Sequence, residues 1–139
     1  MNNIIKDIEI KHNAPSIEGY LNLRKVSGLG EKTVEAAEKG LKNSLYSVTI
    51  YNEGSLIGMG RVIGDGGCFF QVVDIAVTPN FQGNGLGKII MSEIMNYLDT
   101  SVPKGGYVSL IADDPANKLY EQFGFKYTYP QSYGMHIYY

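Results

Sequence analysis

The fold is decided in the middle of the chain, by the sequence VDIAVTPNFQGNGLGK at residues 73–88. Its first residues belong to a predicted strand over residues 69–77, rich in Val, Ile and Phe. A helix is predicted to begin near Gly85, because apolar residues recur at helical spacing from Leu86 to residue 98. The turn between them, Gln82-Gly83-Asn84-Gly85-Leu86-Gly87-Lys88, has glycine at three alternate positions. A strand, a glycine-rich turn and a helix therefore follow one another directly.

This turn is suited to binding a phosphate group. The first N–H groups of a helix have no partner within the helix, and the helix dipole favours an anion beside them. Glycines without a Cβ let the main chain approach a diphosphate closely, and Lys88 adds a positive charge. The alternative is that the glycines only make a tight turn between a strand and a helix, and the turn by itself leaves both interpretations open.

Two well-known phosphate loops fit the turn poorly. A Walker loop requires glycine where Gln82 stands and Ser or Thr where Ile89 stands. The dinucleotide fingerprint requires the spacing G-x-G-x-x-G, whereas the spacing here is G-x-G-x-G. The sequence therefore favours neither a nucleoside triphosphatase nor a dinucleotide-binding protein.

Outward from this centre, the residue patterns predict the rest of the fold. No repeat or linker-like stretch divides the sequence, so we expect one domain over residues 1–139. A helix opened by Asp114 as N-cap and Pro115 at its first position should end at Gly124. The other predicted strands cover residues 4–10, 45–51, 55–63, 107–112, 125–129 and 135–139, and the other helices residues 16–26 and 31–41.

The composition argues against several classes of partner. Twelve Lys and Arg residues are scattered along the chain and are outnumbered by fourteen Asp and Glu, so no basic stripe can neutralise a nucleic-acid backbone. Cys68 is the single cysteine, which suits a reducing compartment, and we expect it to be buried as a small apolar residue. No signal-peptide pattern is present, and no apolar run approaches the roughly 20 residues of a membrane span. We expect a cytoplasmic protein with no nucleic-acid or membrane partner.

Two motifs resemble those of the GNAT superfamily of N-acetyltransferases. Residues 73–87 resemble its acetyl-CoA motif, Q/R-x-x-G-x-G/A after a strand, and residues 116–125, ANKLYEQFGF, resemble its second signature, A-x-x-L-Y-x-x-x-G-F. The predicted order of strands and helices is also similar to that of the family. On these two motifs the chain is identified as a member of this superfamily. The first 66 residues match it by the pattern of strands and helices and not by a motif.

The resemblance implies an α/β (α+β) fold with a mixed, mostly antiparallel sheet, splayed at its fourth strand and flanked by about four helices. Acetyl-CoA is then the expected cosubstrate, with no metal, and its pantetheine arm lies beside the strand like a further strand. Main-chain groups of Ile75, Ala76 and Val77 are expected to bond that arm. The expected diphosphate contacts are the N–H groups of Gln82, Gly83, Asn84, Gly85, Leu86, Gly87 and Lys88, and Asn117 and Tyr120 are further expected cofactor contacts.

The resemblance also implies the catalytic roles. The N–H of Val77 is the expected donor to the oxyanion, and Tyr120 is the expected acid for the departing sulfur, because a phenol with a pKa of about 10 stays protonated at neutral pH. The alternative for Tyr120 is a core aromatic packed beside Leu119 and Phe123. The alternative for Asn117 is a solvated residue in the first turn of its helix.

The general base is left open between two interpretations of Asp74. Its carboxylate is a candidate base on the same strand face as Ala76, and it is equally a hydrogen-bonded acid at the point where the sheet opens. Deprotonation through a chain of waters would require no single residue.

The acceptor pocket is expected, by resemblance, to be formed by the first two helices and the last hairpin, with Tyr20, Arg24 and Tyr133 in contact with the acceptor. Arg24 can equally be a surface residue or a dimer contact. The expected function is transfer of an acetyl group from acetyl-CoA to a primary amine by direct attack, with a tyrosine as general acid. The alternative is a sensor or interaction module that binds acetyl-CoA without catalysis. Dimers are frequent in the family, which leaves a homodimer open.

Overall fold

A computed structural model of the protein describes residues 7–139. Ten short elements follow one another, with the longest helix directly after the glycine-rich turn. In chain order they are β1 Ile8–Lys11, α1 Ile17–Val26, α2 Val34–Lys42, β2 Tyr46–Asn52, β3 Ser55–Gly64, β4 Phe69–Val77, a 3₁₀ turn Pro79–Phe81, α3 Leu86–Ser101, β5 Tyr107–Ser109 and α4 Asn117–Glu121.

The strands form a five-stranded sheet in the order β1-β2-β3-β4-β5. The first four strands are antiparallel neighbours, and β5 alone runs parallel to β4. The β2–β3 connection is a two-residue hairpin, in which Glu53 and Gly54 have φ angles of 49° and 81°. Positive φ at both positions is typical of a type I′ turn, whose twist matches that of the strands it joins. The mixed, mostly antiparallel sheet with four helices confirms the predicted fold class.

Helices cover both faces of the sheet. On one face Ile90, Met91 and Ile94 of α3 are fully buried against β2, β3 and β4, and each such side chain contributes about 1.5–3 kcal/mol of hydrophobic stabilisation. On the other face α1 and α2 pack through a smaller cluster that includes Leu23 and Ala76. The two layers of helices hold β4 between them, so its conformation is fixed from both sides.

Gly60 of β3 allows α3 to come close to the sheet. A Cβ at this position would lie 2.7 Å from a terminal methyl of Ile75 and 2.7 Å from a methyl of Ile90. These distances are shorter than a van der Waals contact between carbon atoms, so any side chain here would push the helix outward. The absence of a side chain at Gly60 therefore helps to set how close α3 lies to the sheet.

A β-bulge interrupts β4 at Asp74. Met59 pairs with Ala76 and Arg61 pairs with Val73, so Gly60 alone faces the two residues between them. Asp74 has a φ angle of 59°, in the left-handed region that Asp and Asn tolerate better than most residues. The bulge adds one residue to β4 and bends the strand at the position where it leaves β5.

The last third of the chain differs from the prediction. Residues 125–129 and 135–139 form no strand, and β5 ends at Ser109 instead of residue 112. The helix predicted from Asp114 begins at Asn117, with Ala116 at the cap position and no side-chain cap, because residues 114–116 form a turn in which the Ala116 N–H donates to the Asp113 carbonyl. The two strand predictions at the end of the chain were wrong, since the structure shows one main-chain hydrogen bond within residues 126–139, from the Ser132 N–H to the Thr128 carbonyl, and no pairing with the sheet.

Three smaller predictions have separate outcomes. Cys68 is exposed, so the prediction that it is buried was wrong. Residues 4–6 of the first predicted strand lie outside the described residues, and the rest of that strand is shifted to Ile8–Lys11. No helix within residues 7–139 is both long enough and apolar enough to cross a membrane.

Candidate active site

A cleft opens where β4 separates from β5. The parallel pairing of the two strands covers only Phe69 to Gln71 on β4, so the remaining residues of that strand have an unpaired edge opposite β3. A cavity of about 300 Å³ lies along this edge, and we call it the β4 cleft. Its walls are Ile75, Ala76, Val77, Phe81, Gln82, Gly83, Gly85, Leu86, Gly87, Ala116, Leu119 and Tyr120.

The main chain of Val77 faces this cleft. The N–H of Thr78 donates to the Ile57 carbonyl of β3 at 2.9 Å, and successive residues of a strand direct their main-chain groups to opposite sides. The N–H of Val77 therefore points away from β3, as does its carbonyl, which accepts a hydrogen bond from Gln82 Nε2 at 3.0 Å. By the same alternation the main-chain groups of Ile75 face the cleft and those of Ala76 face β3.

The N-terminus of α3 has no side-chain cap. Ser16 and Thr33 cap α1 and α2 through hydrogen bonds to main-chain N–H groups, whereas Gly85 precedes α3 and caps nothing. The first N–H groups of α3 therefore have no partner within the helix. They belong to Leu86, Gly87 and Lys88, next to the cleft.

The glycines leave space in front of these N–H groups. Gly83 and Gly85 have φ angles of 82° and 80°, and a Cβ built on either one would meet no atom within 4 Å. Asn84 holds the turn from inside, since its Nδ2 donates to the Phe81 carbonyl at 3.0 Å and to the Gln82 carbonyl at 3.3 Å. The side chain of Lys88 is exposed and outside the walls of the cleft. The turn is thus an uncapped cradle held by Asn84, with open space in front of its N–H groups.

Tyr120 lies in the wall of the cleft opposite the turn. Its residue surface is 9% exposed, and its ring packs edge-on against Phe125 with centroids 6.5 Å apart. Within residues 7–139 the structure gives its hydroxyl no hydrogen-bond partner. Burial, and then the negative charge of Asp113, raise the pKa of this phenol above its ordinary value. Tyr120 is therefore both a packed core residue and a protonated donor, so the two interpretations of the sequence do not exclude each other.

Two buried oxygen atoms without partners belong to residues next in the chain to, or one helical turn from, residues of the cleft walls. They are Thr78 Oγ1, directly after Val77, and Asn117 Oδ1, one helical turn before Tyr120. The other side of the Asn117 amide donates to the Tyr127 hydroxyl at 2.6 Å, and that hydroxyl donates to Glu121 at 2.6 Å. Buried polar atoms usually have partners, and these two have none among the described residues.

A larger cavity of about 1120 Å³ lies on the outer side of β5, and we call it the β5 groove. Residues 107–112 form one wall and residues 123–128 and 132–135 form the other, with Asn117 and Tyr120 between them. Tyr120 thus lines both cavities. Tyr133 lines the groove with 69% of its surface exposed.

Asp74, Tyr20 and Arg24 meet in one buried network away from the cleft. The Asp74 carboxylate, 5% exposed, is bound by Arg24 Nη1, by Arg61 Nε at 2.8 Å and by the Tyr20 hydroxyl at 2.7 Å. Burial, and then Asp74, raise the pKa of Tyr20. Both carboxylate oxygens are occupied, and Asp74 is absent from the walls of both cavities. The structure places it as a hydrogen-bonded acid at the bulge.

The two arginines of this network also fix the main chain around it. Arg24 donates to the carbonyls of Leu29 and Gly30 at 2.6 Å and 3.3 Å, so it is neither a surface residue nor free for an acceptor. Arg61 donates to the Gly40 carbonyl and to Ser44 Oγ at 3.2 Å and 2.9 Å. The sequence prediction missed Arg61. A single charged residue inside the apolar strand GMGRVIG was the signal for a buried ion pair.

The predicted site residues thus divide into three groups. Most of the expected cofactor contacts and two of the expected catalytic residues, Val77 and Tyr120, meet at the β4 cleft. Asp74, Tyr20 and Arg24 form the buried network, and Tyr133 and Asn117 lie in the β5 groove. Asn84 and Lys88 belong to the turn and the start of α3 but lie outside the walls of the cleft.

Comparison with known proteins agrees with this geometry. The model of the family described as "Acetyltransferase (GNAT) domain" matches residues 24–139. The structure resembles the crystal structure of a probable acetyltransferase from meticillin-resistant Staphylococcus aureus, at 52% identity, with a TM-score of 0.92 and coverage of 96% of this chain and 100% of the other. It also resembles a GNAT family acetyltransferase from Streptococcus pneumoniae, at 25% identity, with a TM-score of 0.75 and coverage of 96% and 98%.

Similar sequences include two uncharacterised N-acetyltransferases. The ycf52 protein of Gracilaria tenuistipitata var. liui is 26% identical over 79% of this chain and 65% of its own length. The ycf52-like protein of Prochlorococcus marinus is 31% identical over 70% of this chain and 55% of its own length. This chain therefore spans about 55–65% of these two relatives. The family model covers both sequence motifs and every residue of the β4 cleft, and the chain belongs to the GNAT family of acetyltransferases.

Proposed function

We propose that this protein is an N-acetyltransferase that transfers the acetyl group of acetyl-CoA to a primary amine by direct attack within a ternary complex, with Tyr120 as the general acid. The observation that carries the proposal is the uncapped N-terminus of α3 beside the unpaired edge of β4. The first of these features suits a diphosphate, and the second suits an extended chain with amide groups. Acetyl-CoA has both parts, and supplies the acetyl group as a thioester.

Different residues of the cleft bind different parts of acetyl-CoA. The N–H groups of the turn and of the first residues of α3 bind the diphosphate, and the cradle at Gly83 and Gly85 gives it room. The main-chain groups of Ile75 and the carbonyl of Val77, on the open side of β4, bond the amides of the pantetheine arm. Asn117 of α4 stays a predicted cofactor contact, and its side chain lines the β5 groove instead of the β4 cleft.

The chemistry requires a donor for the oxyanion and a proton for the sulfur. The N–H of Val77 is directed into the cleft and serves as the first. Tyr120 serves as the second: as the amine nitrogen bonds to the carbonyl carbon and the carbon–sulfur bond breaks, the phenol gives its proton to the thiolate. The raised pKa of this phenol keeps it protonated throughout the neutral range.

The amine has to arrive uncharged. Water takes its proton, since the Asp74 carboxylate is fully engaged in the buried network.

The acceptor side is formed by the α1–α2 connection and the tail, which meet where Lys32 Nζ lies 5.4 Å from the ring centre of Tyr138. Tyr20 and Arg24 would shape this side by fixing α1, and Tyr133 stays a predicted acceptor contact.

The test is release of free CoA, followed with a thiol-reactive dye over a panel of primary amines. Tyr120→Phe should lower kcat on the best amine by roughly 10²–10⁴, the usual contribution of a general acid. Tyr51→Phe, on β2, is the matched control and should leave kcat unchanged. An unchanged rate in Tyr120→Phe would remove the phenol from the mechanism. Saturable acetyl-CoA binding without turnover of any amine would favour the sensor instead.

A further inference from the structure

Asn84, which holds the cradle, is also a chemically labile residue. It is the one asparagine of the chain that is followed by glycine. In an Asn-Gly pair the main-chain nitrogen of the glycine can attack the carbon of the asparagine carboxamide. Glycine favours this attack, because no Cβ shields its nitrogen and its backbone is free to adopt the required conformation. Asparagine is accordingly among the residues that limit the lifetime of warm proteins.

The attacking nitrogen belongs to Gly85 and is unobstructed. Gly85 is exposed, with a φ angle of 80°, and a Cβ built on it would meet no atom within 4 Å. Among the turn and cap hydrogen bonds of residues 7–139 it accepts one, from the Ile89 N–H at 3.2 Å, and donates none. The nucleophile is therefore uncommitted, and there is open space beside it for a five-membered ring.

The carboxamide of Asn84 is half-buried and holds the turn through its nitrogen. Its Nδ2 donates to the Phe81 carbonyl at 3.0 Å and to the Gln82 carbonyl at 3.3 Å. These bonds turn the amide back toward the preceding residues, so the attack starts from a turn in which they are open. The nitrogen that holds the turn is also the atom that the attack expels.

We propose that Asn84 is a site of spontaneous deamidation, and that the reaction closes the cradle to the diphosphate of acetyl-CoA. The Gly85 nitrogen loses its proton and bonds to Cγ of Asn84, the Cγ–Nδ2 bond breaks, and Nδ2 leaves with a proton as ammonia. The succinimide that forms takes up one water molecule. Opening at one of its carbonyls gives aspartate, and opening at the other gives isoaspartate, in which Cβ and Cγ carry the main chain.

Either product opposes an anionic ligand. Aspartate has a carboxylate in place of the donor, and the carbonyl oxygens of Phe81 and Gln82 repel it. The uncapped N-terminus of α3 follows directly in the chain and attracts a negative charge, so the carboxylate competes with the diphosphate for the same N–H groups. Isoaspartate lengthens the main chain within the turn and displaces the glycines on either side. The loss of binding rests on the proposed function, whereas the modification does not.

The first experiment incubates the full-length protein, without acetyl-CoA, in warm and mildly alkaline buffer, which deprotonates the attacking nitrogen. Peptide mapping by mass spectrometry should find the acid at residue 84, and anion exchange should separate a form more negative than the unmodified chain, whose formal charge is −2. Asn43 is the internal control. It is exposed and its Nδ2 donates to the Lys39 carbonyl at 2.8 Å, but Ser44 follows it, so it should react several times more slowly. No acid at residue 84, or equal rates at the two sites, overturns the proposal.

The second experiment measures the Kd for acetyl-CoA by calorimetric titration, for the separated modified protein and for Asn84→Asp. Both should bind roughly tenfold more weakly than fresh protein, because the carboxylate and the diphosphate repel each other, and circular dichroism checks that both are folded. Asn43→Asp makes the same change of charge at the end of α2 and should leave the Kd unchanged. Modified protein that binds as tightly as fresh protein overturns the closing of the cradle. Fresh protein that does not bind would instead contradict the proposed function, and the first experiment would still decide the modification.

Discussion

Asp74 accounts for much of the local structure at the residue scale. It lies at the bulge of β4 with a left-handed main chain, and its carboxylate is bound by two arginines that each also hold a loop or helix end. Removing this carboxylate is costly, because the arginines would be left charged and unpaired, and removing an arginine leaves the carboxylate short of a partner. The same residue therefore fixes the bend of β4 and the position of α1 and α2.

Replacing the Asp74 carboxylate by an amide tests how much the buried network contributes to the stability of the protein. Asp74→Asn keeps the shape and the tolerance for positive φ, but it should lower the free energy of unfolding by about 3–5 kcal/mol. Glu35→Gln is the control, since the exposed Glu35–Lys39 pair should change stability by less than about 1 kcal/mol. Both values come from urea unfolding. Below its melting temperature Asp74→Asn should retain acetyl transfer, and a loss of kcat in the folded variant would restore the general-base interpretation.

At the element scale, Gly83 in the strand-to-helix turn can be compared with Gly54 in the β2–β3 hairpin, which has the same backbone conformation but lies outside the cleft. Gly83→Ala and Gly54→Ala introduce the same methyl at φ angles of 82° and 81°, with no atom within 4 Å in either case. Both should cost about 1–2 kcal/mol of stability through backbone strain. Only Gly83→Ala narrows the cradle, so it alone should raise the Kd for acetyl-CoA, by roughly tenfold or about 1.4 kcal/mol. Calorimetric titration measures both constants, and equal Kd values would show that the glycines only turn the chain.

Elements were predictable from sequence where local signals agree. The apolar stripe of α3 and the Glu53-Gly54 turn between two β-rich segments each specify their element without distant contacts. Residues 135–139 have equally strong strand signals, but a strand also requires a neighbouring edge, which local sequence does not reveal. The network of Asp74 was hidden for the same reason, since its arginine partners lie 50 and 13 residues away along the chain.

For the whole molecule, binding of acetyl-CoA should raise the free energy of unfolding. Acetyl-CoA at about a hundred times its Kd should add roughly 2.7 kcal/mol to the free energy of unfolding, which corresponds to a rise of about 10 °C in Tm for a chain of this size. Thermal melts monitored by circular dichroism measure the shift, and adenosine without the diphosphate should give a smaller one. No shift at any acetyl-CoA concentration would contradict binding at the β4 cleft.

Tyr120 forms part of the wall of both cavities. The phenol that is proposed to protonate the sulfur is therefore reached from two directions, by acetyl-CoA from the β4 cleft and by any molecule in the β5 groove. A molecule bound in the groove would exclude solvent from one side of this phenol and change its acidity without displacing acetyl-CoA.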